Sequence, residues 1–278
     1  MSTVEKGVYA AVLTPLDANL DCDIEELVNY CKELIERGCK GVLLFGTTGE
    51  GPSFSVLEKC KAIEAVIRGG IDPSKIIVGN GSANVEDTAE LGFKITEMGC
   101  AGYLIAPPCF FAPVEEEGVF RFYEQAIRKI SHPGLRVLLY HIPQYTKVPL
   151  SAPLIHRLCT MFRGVVIGIK ESEGNLSLIK EVLKTDPLCK VFVGRESFVE
   201  KIHSLGAVGA ICGIANVCPE VLISLYRQTA TEEDRLLFLK TVEEFHGKPF
   251  IAYAKGLLAK ERGGGWSRVR PPLVPFIF

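Results

Sequence analysis

The sequence predicts a (β/α)8 barrel, and three observations support that fold class. Short, almost continuously apolar runs recur eight times, which is the character of parallel strands covered on their outer side. Amphipathic segments with the apolar spacing of helices lie between them. The eight strand-helix units fill residues 1–230 with no long polar linker. Such an alternation closes into a barrel, with an open doubly wound sheet as the competing arrangement. Residues 231–278 then read as a C-terminal helical extension.

The first run, GVYAAVLT (7–14), precedes the helical segment IEELVNYCKELIERG (24–38). KGVLLFG (40–46) leads to SVLEKCKAIEAVIRGG (55–70), and KIIVGN (75–80) to VEDTAELGFKITEMG (85–99). AGYLIA (101–106) precedes EEEGVFRFYEQAIRKI (115–130), and LRVLLYHI (135–142) precedes SAPLIHRLCTMF (151–162). The last strands are VVIGIKE (165–171), KVFVGR (190–195) and VGAICGI (208–214). Their helices are SLIKEVLKTD (177–186), FVEKIHSLG (198–206) and PEVLISLYRQTA (219–230). Gly38, Gly99 and Gly206 stand just past the last apolar position, where a glycine ends a helix without steric cost. In the extension, EEDRLLFLKTVEEF and PFIAYAKGLLAKE have helical character, whereas GGGWSRVRPPLVPFIF is too rich in glycine and proline for a regular helix.

Composition narrows the partners. Of the 278 residues, 47% are hydrophobic and 23% charged, so the chain can bury a large core and is unlike a disordered one. A net charge of −2 supplies neither a basic stripe for nucleic acid nor a polybasic membrane anchor, which leaves a small molecule as the expected partner. No apolar stretch reaches the roughly 18–20 residues that span a bilayer. MSTVEKGVYAAVLTPL lacks the basic, apolar and small-residue succession of a secretory leader. The ten cysteines are scattered without CxxC or His/Cys ligand spacing, and they read as small buried hydrophobes of a reducing compartment, with no metal site.

Barrels of this kind carry their working groups where strands end and loops begin. Lys170 closes the apolar run of the sixth strand, a setting that disfavours an ammonium and raises the fraction of nucleophilic amine. A neutral amine adds to ketones, and the resulting imine withdraws electrons from the neighbouring carbon. The alternative is a lysine that turns to solvent or pairs with Glu171. Tyr140, at the same end of the fifth strand, offers a phenol for proton transfer, or else a rim hydroxyl. GTTGEG (46–51) combines glycine turns with two hydroxyls ahead of a helix, suited to a small anion such as a carboxylate, or to a plain turn and cap. No GK[ST] follows, so it is not a Walker loop. GNGSAN (79–84) is no dinucleotide fingerprint, and CGIANV (212–217) is a poor phosphate cradle.

With these segments on the page, the chain resembles the dihydrodipicolinate synthase and N-acetylneuraminate lyase family of pyruvate-dependent class I aldolases. The resemblance is carried by GTTGEG (46–51), YHIP (140–143), GIKESEGN (168–175), GR (194–195) and RPPLVP (270–275), in order across residues 7–275. It implies a Schiff-base aldolase or lyase acting on pyruvate or another 2-oxo acid, without a cofactor beyond the lysine imine. Lys170 would form the imine and Tyr140 would shuttle protons, with Thr47 beside it. Thr47 and Thr48 would hold the carboxylate, the Ile211 carbonyl would orient the site, and Gly194, Arg195, Ser172 and Tyr145 would face the substrate. A homo-oligomer, a dimer or a tetramer built from dimers, is implied as well, with an aldehyde as a candidate second reactant, and the reducing compartment read from the cysteines is taken as the cytoplasm.

Three departures bear on the substrate. Where the synthase branch has an arginine, YHIPQYT places Tyr145, which lacks a bidentate charged fork. Where that branch has a relay tyrosine after the fourth strand, APPCFFAP (106–113) offers Phe110, which passes no proton. After the seventh strand, Arg195 and Glu196 form a mixed pair suited to a hydroxylated or carboxylated tail or to a rim salt bridge. The substrate tail is therefore open. Dihydrodipicolinate synthase proper and a non-catalytic keto-acid-binding barrel are the alternatives. Family members commonly continue beyond RPPLVP into a final helix; here PFIF (275–278) either docks in its place or leaves apolar surface wet.

Overall fold

A computed structural model describes residues 4–278. Eight parallel strands close in chain order, with β8 returning to β1. They are β1 (Gly7–Ala11), β2 (Gly41–Leu44), β3 (Ile76–Gly79), β4 (Gly102–Ile105), β5 (Val137–His141), β6 (Val166–Glu171), β7 (Lys190–Val193) and β8 (Gly209–Cys212). Most are shorter than their apolar runs because the last residues turn off the ladder while staying buried. Phe45 is one example, at φ 54° and 2% exposed.

The helices expected from the spacing are α1 (Ile24–Glu36), α2 (Val56–Arg68), α3 (Val85–Glu97), α4 (Glu116–Ile130), α6 (Ala152–Met161), α7 (Leu176–Thr185) and α9 (Pro219–Arg227). Asp23, Ser55, Asn84, Ser151 and Asn175 each accept a backbone N–H of the first turn, satisfying a donor the helix leaves free. Gly38, Gly99 and Gly206 sit at φ 102°, 80° and 77°, beyond the helix ends as expected.

Two segments differ from the sequence reading. Residues 198–206 do not form one α-helix: a 3-10 stretch (Glu196–Lys201) precedes a single turn, α8 (Ile202–Leu205). No side chain caps its start at Arg195, in contrast to α1, α2, α3, α6 and α7, and its backbone winds more tightly through this stretch. An unexpected turn, α5 (Pro143–Thr146), follows β5, started by the fixed φ of Pro143.

The core has two layers. Tyr9, Leu43, Ile77, Leu104, Leu138, Tyr140, Phe192 and Ile211 fill the barrel interior, and a larger cluster including Val8, Val42, Val78 and Ile169 packs strands against helices. Alternation along each strand decides which layer a residue joins. One ladder is irregular. Val137 pairs with Val166 but Leu138 with Gly168, so Ile167 is an extra residue at the base of β6. Above the slip Tyr140 faces Lys170. A Cβ on Gly168 would lie 2.0 Å from the Lys190 carbonyl oxygen, which explains the glycine there.

The extension comprises α10 (Glu232–Phe245), α11 (Phe250–Arg262) and an irregular tail with one 3-10 turn (Gly264–Ser267). The tail docks only in part: the rings of Phe276 and Phe278 stand 4.9 and 5.3 Å from that of buried Tyr253, with Lys260 over Phe278, while Ile277 and much of Phe278 remain exposed. All ten cysteines are free thiols. Eight are buried as expected, Cys22 is half-buried, and Cys109 is exposed in the loop after β4. No helix is long and apolar enough to cross a membrane among the described residues.

Candidate active site

At the C-terminal end of the barrel a cavity of about 180 Å³ is lined by every residue that the resemblance assigns to the site: Thr47, Thr48, Tyr140, Tyr145, Lys170, Ser172, Gly194, Arg195 and Ile211. Lys170 points inward because it pairs across the sheet with Tyr140 on one side and Phe192 on the other, both interior residues. It is 4% exposed, and its Nζ donates to the Tyr140 hydroxyl at 3.3 Å. Solvent is thus mostly excluded, and the alternative of a lysine that turns to solvent or pairs with Glu171 does not hold. Glu171, one residue on, points to the other side of the sheet, and its carboxylate accepts the N–H groups of Glu173 and Gly174 at 2.8 and 2.9 Å.

Tyr140 links the lysine to the threonine loop. Its hydroxyl lies 3.3 Å from Thr47 Oγ1, so amine, phenol and hydroxyl form a chain along which a proton can pass. The loop itself is a tight turn in which Glu50 N–H donates to the Thr47 carbonyl and Gly51 N–H to the Gly46 carbonyl, at 3.1 and 3.0 Å. It packs so closely that a Cβ on Gly51 would lie 1.8 Å from the Phe45 carbonyl oxygen. Thr47 and Thr48 remain half-buried at the cavity wall, able to offer hydroxyls and N–H groups to a carboxylate.

The opposite wall is polar. A Cβ on Gly194 would lie 2.0 Å from Ser172 Oγ, so the glycine lets the β6 and β7 loops meet at the cavity. Gln144 Nε2 donates to the Ser172 carbonyl at 2.9 Å. Burial raises the Glu196 carboxyl above the ordinary glutamate range, against the opposing charges of Arg195 and Lys170. Arg195 and Glu196 are not an ion pair, so the rim salt bridge is absent. Tyr145, 65% exposed, stands at the mouth and also lines a mostly apolar neighbouring cavity of about 210 Å³, together with Phe45, Leu104, Pro107 and Pro108.

Some lining residues had no sequence signal. Phe250 and Ile251 reach the cavity from the start of α11. Gln144 could have been found, since it lies within YHIPQYT. Phe110 is 84% exposed, stacked edge-on against Phe111, and lines neither cavity. Below the rim, His141, Glu171 and Glu173 cluster at metal-ligand distances. His141 Nδ1 accepts from Leu150 N–H, which puts the ring proton on Nε2, and that donates to Glu173 at 3.0 Å. This hydrogen bond holds the Glu173 carboxyl below its usual range. With Glu171 already holding loop N–H groups, the cluster reads as an internal brace.

The profile of the Dihydrodipicolinate synthetase family matches residues 4–252. A 4-hydroxy-tetrahydrodipicolinate synthase of Bartonella bacilliformis is 29% identical over 97% of this chain and 92% of its own length. A DapA-like lyase of Chloroflexus aurantiacus is 31% identical over 80% of this chain and 74% of its own. Among solved structures, dihydrodipicolinate synthase from Agrobacterium tumefaciens superposes with a TM-score of 0.90 at 32% identity, covering 98% of this chain and 94% of that one. A 2-keto-3-deoxygluconate aldolase variant of Sulfolobus solfataricus shares the fold at TM-score 0.83 and 22% identity, covering 98% and 91%. The chain therefore belongs to the dihydrodipicolinate synthetase family, and it is a lyase of the pyruvate-dependent class I aldolase type.

Proposed function

We propose that Lys170 forms an imine with pyruvate or a pyruvyl-containing 2-oxo acid, and that this imine makes or breaks a carbon–carbon or carbon–oxygen bond. The observation that carries the reading is the chain from Lys170 Nζ through the Tyr140 hydroxyl to Thr47 Oγ1, with both links at 3.3 Å. Thr47 and Thr48 hold the carboxylate. The neutral amine adds to the keto carbon while Tyr140 protonates the oxygen, and water leaves to give the imine. Loss of a C3 proton gives an enamine, which attacks an aldehyde carbon; run backwards, the same steps cleave the bond. The Ile211 carbonyl helps orient these groups. The chemistry draws on no cofactor or metal.

The tail of the substrate lies toward Ser172, Gly194, Arg195 and Tyr145, with Gln144 and Glu196 beside them. Arg195 has no ion-pair partner among the described residues, which suits a tail bearing carboxylate or hydroxyl groups. Synthesis of 4-hydroxy-tetrahydrodipicolinate, the activity named for several relatives, is the second reading; Tyr145 weighs against it and the similarity across the chain weighs for it. We further propose a homo-oligomer, since Phe110 and Phe111 are 84% and 80% exposed, and a cytoplasmic location, which suits ten free thiols.

Incubation with pyruvate and borohydride tests the central claim. The expected result is a stable adduct on Lys170, absent from Lys170→Ala. An unmodified wild-type mass at saturating pyruvate would sink it.

A further inference from the structure

Resting on the imine reading, we propose that Glu50 and Lys255 are positioning residues for the substrate carboxylate, through which α11 holds Thr47 and Thr48 in place. Glu50 is bonded to that pair through the backbone, its N–H donating to the Thr47 carbonyl at 3.1 Å. It sits in the left-handed region at φ 57°, a conformation that needs external support in a non-glycine residue. The support comes from 205 residues later. One carboxylate oxygen of Glu50 meets Lys255 Nζ, and the other accepts Arg270 N–H at 2.7 Å. Lys255 Nζ also donates to the Arg268 carbonyl at 2.7 Å.

Both side chains of the pair are fully buried. Burial pulls the Lys255 ammonium below the usual lysine range, and the Glu50 carboxylate opposes that pull. A buried ion pair is a poor device for stability alone, since apolar side chains of similar volume often do as well or better. It is a good device for fixing orientation, because both carboxylate oxygens are held by directed, charge-assisted bonds. Arg270 extends the joint: its guanidinium donates to the carbonyls of Leu20 and Ser53, at 2.8 and 2.7 Å, and to Glu58 at 2.6 Å. The same helix that anchors the loop from below presents Phe250 and Ile251 to the cavity at its first turn. The extension is thereby a wall of the site and the brace of its anion-holding loop.

Borohydride trapping on Lys170 is compared for pyruvate and for methyl pyruvate, which has the same keto carbon but no carboxylate. In Glu50→Gln and Lys255→Met the pyruvate concentration for half-maximal trapping should rise about tenfold or more, as expected for weakened hydrogen bonds to a charged group. The methyl pyruvate value should stay as in the wild type, and adduct at saturation should still form. Equal losses for both ketones, or no change for either, would overturn the proposal and leave the pair a structural joint. Should the single variants fail to fold, Glu50→Gln/Lys255→Met, which leaves no unpaired buried charge, and Glu50→Asp are read in the same way. Failure of all to fold assigns the pair to stability and also overturns the proposal. A wild type that traps neither ketone would instead count against the imine reading itself.

Discussion

Tyr140 and Lys170 face each other on neighbouring strands, and the amine of one donates to the hydroxyl of the other at 3.3 Å. The phenol is 6% exposed, so little water competes for its proton. Tyr140→Phe should therefore keep the fold and lower kcat by about 10²–10⁴-fold, the range for loss of a positioned proton-transfer group. Steady-state kinetics beside a thermal melt checks this; a variant with undiminished kcat would remove Tyr140 from the chemistry.

Gly194→Ala tests the meeting of two loops. The new methyl would lie 2.0 Å from Ser172 Oγ and 2.9 Å from its Cβ, so the serine must turn its hydroxyl away and shift. A stability loss of about 1–3 kcal/mol is expected, with a raised KM for the full substrate. Unchanged melting and kinetics would show that the loops have more room than their packing implies.

Tyr145→Arg tests the mouth. A guanidinium there offers the bidentate fork that a phenol lacks. The ratio of kcat/KM for a carboxylate-bearing aldehyde over a neutral one should rise about tenfold, as for one hydrogen bond between charged groups. An unaltered ratio would mean that the aldehyde tail does not pass this residue.

Glu58 supplies a pH test of the docked tail. Burial raises its pKa, but hydrogen bonds from Arg270 and Ser55 outweigh this and hold it at about 2, against 4.5 for an ordinary glutamate. The folded state thus favours the charged form. Its contribution is complete above pH 4.5 and is lost as pH falls toward about 2. Because Glu58 is partly open to solvent, screening keeps the effect modest. The drop in urea midpoint between pH 6 and pH 3 should be smaller in Glu58→Gln than in the wild type; equal drops would refute the linkage.

Much of the barrel was legible because its strands are covered on both faces and so read as unbroken apolar runs. Lys170 was legible because it interrupts such a run at the end where these folds keep their chemistry. The direction of its side chain was not, since that depends on its partners in β5 and β7. Phe250, Ile251 and Lys255 gave no local signal: their nearness to the threonine loop arises only when the chain returns about 200 residues later. Residues 198–206 had helical spacing, and spacing alone does not decide whether a short segment winds as an α-helix or a 3-10 helix.

The extra residue at the base of β6 bears on how such an activity is lost. If the ladder ran evenly upward from the Val137–Val166 pair, Tyr140 would face Ile169, and Lys170 would turn out among the helices. The catalytic sequence would be intact and the chamber would hold no amine. The phase of a strand thus acts here as a two-position selector, set three residues before the lysine and guarded by Gly168, where a side chain has no room. A substitution at that glycine could silence the protein without touching any group that meets its substrate.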